Sequence, residues 1–148
     1  DMTRQSIMGH SMGGHGALTI GLSYPDRYNA ESALAPIVAP SQVPWGNKAF
    51  GGYLGQDKTA WSRHDTIALI ESGARFPEIL VDQGEGDQFL VDQLKPELLA
   101  DACCKAKINL TLRLHPNYDH GYYFVSSFME DQLRWYSARL CEKNHILT

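Results

Sequence analysis

The chain has 148 residues, a length that suits one domain, and its 43% apolar and 20% charged content is ordinary for a globular protein. A net charge of −4 gives no basic surface for nucleic acid or an anionic membrane, and no apolar run is long enough to span a bilayer. The cysteines are Cys103, Cys104 and Cys141, an odd count with two adjacent, which suits a reduced, cytosolic setting better than a disulfide framework. With no CxxC or His/Cys cluster, no metal site is expected.

In chain order, Asp1-Met2 leads at once into a strand candidate over Gln5 to Met8, ending at Gly9. A helical stretch from Gly13 to Leu22 stops before Pro25. Ala30 to Ala35 reads as a second strand, closed by Pro36. Pro40, Pro44, Trp45, Gly46, Phe50, Gly51, Gly52 and Tyr53 then suggest a long irregular excursion. Asp65 is placed to cap a short helix over Thr66 to Ser72, with Gly73 at its end. Ile79-Leu80-Val81 after Pro77 has the look of a buried parallel strand, with Gly84 and Gly86 in the loop that follows. A helix over Pro96 to Ala106 carries Leu98, Leu99, Ala102, Cys103 and Ala106 on one face. Leu110, Leu112 and Leu114 alternate with polar residues in a strand that ends at Pro116, and a final helix runs from about Tyr122 to Leu140. Alternating strands and helices predict an α/β fold with a parallel sheet, flanking helices and right-handed crossovers.

One motif carries chemistry. Gly9-His10-Ser11-Met12-Gly13 matches G-x-S-x-G between a strand candidate and a helix, the setting a nucleophile elbow needs. The sharp turn lifts the serine hydroxyl clear, flanking glycines let strand and helix approach, and the helix N-terminus adds positive potential. The Met12 amide is placed to donate to an oxyanion.

A serine hydroxyl needs a base, and the base needs an orienting acid. In this type of fold they follow in the order Ser, acid, His, each just after a strand. His120 follows the Leu110 to Leu114 strand, and Asp87 follows Ile79 to Val81, so Ser11, Asp87 and His120 fall on one edge of the sheet. Asp82, at its strand's end, is the second-choice acid and Glu85 a weaker one; Asp119 is too close to His120 in sequence to orient it. His10 and His15 flank the nucleophile and break the required order. His115 reads as structural, and His64 and His145 lie in irregular or terminal segments. Cys103 and Cys104 read as small core residues.

With these residues in hand, the chain resembles the S-formylglutathione hydrolases, the esterase D family, and its bacterial members in particular. The likeness runs from about Arg4 to Leu140. It rests on Gly9-His10-Ser11-Met12-Gly13-Gly14-His15-Gly16, Ala35-Pro36-Ile37, Pro44-Trp45-Gly46 with Lys48-Ala49-Phe50, and Tyr53-Leu54-Gly55. Asp82-Gln83-Gly84, Asp87-Gln88-Phe89, Tyr118-Asp119-His120 and Tyr122-Tyr123-Phe124 complete it. Gly121 departs from the serine that family members often carry after the histidine.

The resemblance implies an α/β-hydrolase fold in which nucleophile, acid and base fall on Ser11, Asp87 and His120. It implies hydrolysis of S-formylglutathione to formate and glutathione, a stage of formaldehyde detoxification, through a formyl-serine intermediate and without a cofactor or metal. Trp45, Lys48 and Phe50 are candidates to line the substrate site; packing for the aromatics and a solvated charge for Lys48 are the plain alternatives. Two other readings stay open: a short-chain carboxylesterase of the same superfamily, and a non-catalytic fragment. Family members are much longer, so residues 1–148 are expected to be the C-terminal portion of a single domain. The N-terminal strands and a second oxyanion donor would then lie in the missing half. Expected partners are a small thioester or ester, that missing half, and a second copy in a homodimer; nucleic acid and membrane are not expected.

Overall fold

The computed structural model describes residues 3–141, so Asp1, Met2 and His145 lie outside the described residues. The strands are β1 (Ser6–His10), β2 (Ala30–Leu34), β3 (Glu78–Gly84) and β4 (Asn109–His115). They pair in parallel in the order β1-β2-β3-β4, each crossover carrying at least one helix. Consecutive parallel strands need such connections, because a tight turn cannot reverse the chain twice. The register sets His10 beside Leu34, Leu34 beside Asp82, and Gly84 beside His115, so the strand C-termini end together.

Helices α1 (Met12–Ser23), α4 (Thr66–Glu71) and α5 (Pro96–Ala106) cover one face of the sheet. Leu18 and Leu22 of α1, Ile67 and Ile70 of α4, and Leu99 and Cys103 of α5 pack there with Ile79 and Val81. Each such aliphatic side chain contributes roughly 1.5–3 kcal/mol on burial. Helix α6 (Tyr122–Cys141) packs on the other face, where Leu34, Ile37, Val43, Leu94 and Phe124 form a second cluster. The two-residue period of β3 explains the split: Ile79 and Val81 face one layer, and Asp82 meets Gln132 of α6 in the other.

Polar groups bind α6 to the sheet. Gln132 donates to Asp82 at 2.5 Å and accepts from Ser32 at 2.5 Å. Ser32 also bonds Tyr136, whose hydroxyl donates to the Ile7 carbonyl at 2.8 Å. These buried polar groups are thus linked from β1 to β3, as burial requires.

Several predicted boundaries shift. β1 runs on to His10, β3 extends through Gly84, and α1 starts at Met12. The expected irregular excursion is instead a 3₁₀ turn (Pro40–Gln42), helix α2 (Pro44–Tyr53) and helix α3 (Lys58–Ser62). Pro44 suits the first helical position, and Gly46 serves contact more than turning. A Cβ on Gly46 would sit 1.8 Å from the Pro40 carbonyl oxygen. Asp65 caps α4 as expected, accepting from the Ala68 amide at 3.0 Å, and also binds Ser41 of the 3₁₀ turn. Cys103 is buried, but its neighbour Cys104 is exposed, correcting the expectation that both sit in the core. Adjacent helical residues point about 100° apart, so one face cannot hold both.

The outer edge of β1 has no strand partner among the described residues. Beside it, Ser6, Met8, Leu133, Tyr136 and Leu140 line an open groove. Among the described residues no helix is long and apolar enough to cross a membrane.

Candidate active site

β1 delivers Ser11 into a backbone conformation that side-chain-bearing residues rarely adopt, φ 56° and ψ −114°. Such strain costs on the order of 1–3 kcal/mol and persists only where the surroundings enforce it. They do so here: the Ser11 amide donates to the Leu34 carbonyl at 2.9 Å, and its carbonyl accepts from His15 at 3.0 Å. Two glycines make the turn sterically possible. A Cβ on Gly9 would lie 2.0 Å from the Gly13 carbonyl oxygen, and one on Gly14 would lie 3.0 Å from the Pro36 Cβ. Gly13 and Gly16 face open space, so their lack of a side chain relieves no contact in this chain. Met12 is the first residue of α1, where an amide has no partner within the helix.

Asp87 and His120 sit on neighbouring loops after β3 and β4. Backbone bonds zip these loops together: Glu85 donates to the His115 carbonyl at 2.9 Å and Gly86 to the Tyr118 carbonyl at 3.0 Å. Asp119, exposed, accepts from the Gly121 amide at 2.8 Å and so braces the His120 turn.

The three side chains meet. His120 Nδ1 lies 2.6 Å from Asp87 Oδ2, and His120 Nε2 lies 2.8 Å from Ser11 Oγ. With the proton on Nδ1 donated to Asp87, Nε2 is left to accept from the serine hydroxyl. Burial pushes the Asp87 carboxyl up, but the hydrogen bond and charge of His120, with donors from Phe89 N and Gln83 Nε2, outweigh it and lower its pKa. Asp87 therefore stays ionised at neutral pH, the state that holds an imidazole in one tautomer.

The second-choice acid is engaged elsewhere. Asp82 is fully buried and takes a two-pronged pair from Arg113, both contacts at 2.6 Å, with His115 Nε2 at 2.7 Å. His115 also stacks on Phe128 with ring centroids 3.6 Å apart. Glu85 is exposed.

Two further histidines stand near. The His10 ring lies 4.8 Å from that of His120, and its Nε2 is buried without a partner among the described residues. Burial, aided by the nearby His120, lowers its pKa. His15 Nε2 lies 2.6 Å from the His64 carbonyl, and burial lowers its pKa too. The neutral ring therefore donates from Nε2.

A cavity of about 370 Å³ opens beside Ser11, walled by Met12, Ile37, Trp45, Ala49, Phe50 and Tyr53 among others. Trp45 and Phe50 both face it, whereas Lys48 lies on an adjoining open depression. Ile37, Ala49 and Tyr53 stand in the sequence motifs without an expected place at the site; once α2 is taken as a helix, its periodicity brings Ala49 and Tyr53 to the face that carries Trp45. An aromatic chain leads back to His120, with Trp45 and Phe89 centroids 4.5 Å apart and Phe89 to His120 5.2 Å. Among the described residues no group of three His, Cys, Asp or Glu could hold a metal ion.

The family model described as "Putative esterase" matches residues 1–139. The S-formylglutathione hydrolase of Paracoccus denitrificans is 52% identical over 140 residues, covering 95% of this chain and 50% of the relative. The solved S-formylglutathione hydrolase from Agrobacterium tumefaciens superposes with a TM-score of 0.93 at 56% identity, over 95% of this chain and 50% of that one. Esterase B from Lactobacillus rhamnosis, only 17% identical, superposes with a TM-score of 0.78 over 97% of this chain and 55% of that one, a likeness of fold alone. The chain spans about half the length of these relatives.

Proposed function

Since this chain belongs to the esterase family, we propose that it carries the reacting groups of a serine hydrolase that cleaves S-formylglutathione to formate and glutathione. Ser11 Oγ attacks the formyl carbon while His120 Nε2 takes its proton, and Asp87 holds the imidazole tautomer and stabilises the imidazolium. The Met12 amide donates to the oxyanion. The carbon–sulfur bond breaks, leaving formyl-Ser11 and glutathione thiolate, which with a thiol pKa of about 8.5 needs little acid assistance. The thiolate takes the proton from the His120 imidazolium as it departs, which restores the neutral ring. His120 then removes a proton from the water that attacks formyl-serine and returns it to Ser11 Oγ as formate leaves. No cofactor enters this scheme, and it fits a formaldehyde-detoxifying enzyme of the cytoplasm.

The observation that carries the reading is the unbroken line from Ser11 Oγ through His120 to Asp87, at 2.8 Å and 2.6 Å. The substrate class is suggested by the names of the Paracoccus denitrificans and Agrobacterium tumefaciens relatives. The test is turnover of S-formylglutathione by the intact gene product and by its Ser11→Ala variant. Turnover lost with Ser11 agrees; turnover kept by the variant contradicts the assignment.

One observation favours a broader reading. A cavity of about 370 Å³ with largely apolar walls exceeds what a one-carbon acyl group fills, which suits short-chain esters as additional substrates. The half-length match and the unpaired β1 edge support reading residues 1–148 as the C-terminal portion of a single α/β-hydrolase domain. A second oxyanion donor then belongs to the unmatched half of the relatives' length, and without one the rate falls by about 10²–10³.

A further inference from the structure

Helix α2 sets Trp45, Lys48, Ala49, Gly52 and Tyr53 at spacings of three and four, which share one helical face. With Met12 they line an open depression of about 420 Å³. It runs into the cavity beside Ser11, because Met12, Trp45, Ala49 and Tyr53 line both. Lys48 is the one Lys, Arg, Asp or Glu among all the residues that line either. Its ammonium makes no hydrogen bond or ion pair among the described residues. Lys58 is different: its Nζ reaches Asn47 Oδ1 at 3.3 Å and lies 3.3 Å from the centroid of the Trp61 ring. A cation unengaged among the described residues thus stands on an open depression that adjoins the cavity beside the serine hydroxyl. Lys48 is exposed on this depression, so its attraction for an anion is that of a screened surface charge, and its flexible stem reaches anions in more than one position.

We infer that Lys48 is a specificity-determining residue that draws in a carboxylate carried by the substrate away from its reacting carbonyl. Its substrates are acyl thioesters or esters bearing a free carboxylate, a class that includes glutathione thioesters with their two carboxylates. The inference rests on the serine-esterase reading above.

The test uses the intact gene product and three matched esters: phenyl acetate, 3-carboxyphenyl acetate and 3-(trimethylammonio)phenyl acetate. The quantity read is the ratio of kcat/KM for each charged ester to that for the neutral one, which cancels any loss of folded enzyme. Lys48→Gln lowers the carboxylate ratio about three- to ten-fold. Lys48→Glu lowers it further and raises the cation ratio. Sodium chloride at about 0.5 M lowers the carboxylate ratio of the parent enzyme and leaves that of Lys48→Gln nearly flat. A carboxylate ratio unmoved by Lys48→Gln and by salt overturns the inference while the esterase reading stands. Phenyl acetate hydrolysis that survives Ser11→Ala overturns the esterase reading, and the inference falls with it.

Discussion

A Cβ on Gly84 would sit 2.3 Å from the Tyr118 carbonyl oxygen, so the loop that carries Asp87 lies directly against the loop that carries His120. Gly84→Ala must push these loops apart, and the spacing from Asp87 to His120 moves with them. The expected result is a loss of about 1–3 kcal/mol in stability and a fall in kcat of about 10²-fold, the scale of a misplacement near 1 Å. Gly16→Ala, whose Cβ meets open space inside α1, is expected to leave Tm unchanged or raise it. Thermal melts and ester turnover on the two variants check both.

The two aspartates of the β3 end separate by function. Asp87→Asn removes the acceptor that fixes the His120 tautomer and is expected to cut kcat about 10³–10⁴-fold with Tm little changed. Asp82→Asn leaves the Ser11–His120 contact in place but breaks the buried pair with Arg113, for a stability loss of about 3 kcal/mol. Chemical unfolding beside turnover distinguishes them. Activity loss greater in folded Asp82→Asn than in Asp87→Asn contradicts the assignment of the acid.

Much of this arrangement is legible in the sequence. Strand-end position singles out Ser11, Asp87 and His120 as candidates, because parallel strands of equal direction bring their C-terminal loops to one edge. The competing claim of Asp82 is harder to judge from sequence: its partners Arg113 and Gln132 lie 31 and 50 residues away, and nothing local announces them. The Trp45 segment is misread for another reason. Glycine and proline usually mark turns, but here Pro44 opens a helix and Gly46 makes room for Pro40, a tertiary contact that propensity cannot foresee. The buried state of Glu31 is equally silent in sequence.

Glu31 gives a pH prediction. It is fully buried in β2, its carboxylate oxygens lack partners among the described residues, and burial pushes its pKa up to about 9. The unfolded chain releases this proton near the ordinary glutamate value of about 4.3. Between these two values the folded state binds more protons than the unfolded state, so the Glu31 contribution is complete below the lower value. It is lost as pH rises towards about 9. Glu31→Gln is expected to flatten this part of the slope and to exceed the parent in stability at alkaline pH by a few kcal/mol. Urea unfolding across that pH range is the check; identical slopes in the two proteins refute it.

The outer edge of β1, without a strand partner among the described residues, predicts behaviour in solution. Met8 and Leu133 are exposed at 38% and 57% beside it, and a parallel strand with an open edge and apolar flank invites association. The 148-residue chain expressed alone is expected to aggregate or unfold at low denaturant, and to be at best weakly active. An extension upstream by strands that cover β1 is expected to restore a cooperative transition. Monomeric, cooperative folding of the 148-residue chain with full esterase activity refutes this.

Ser11 as nucleophile and His120 as its activator are open to one decisive labelling experiment. The most direct measurement is peptide mapping by mass spectrometry after the intact gene product is treated with a neutral aryl phosphonate ester, which leaves a stable adduct on an activated serine. A single adduct on Ser11, formed at a rate that His120→Ala reduces by several orders of magnitude, is the predicted result. An adduct on a different serine, or labelling of Ser11 at the same rate in His120→Ala, contradicts it.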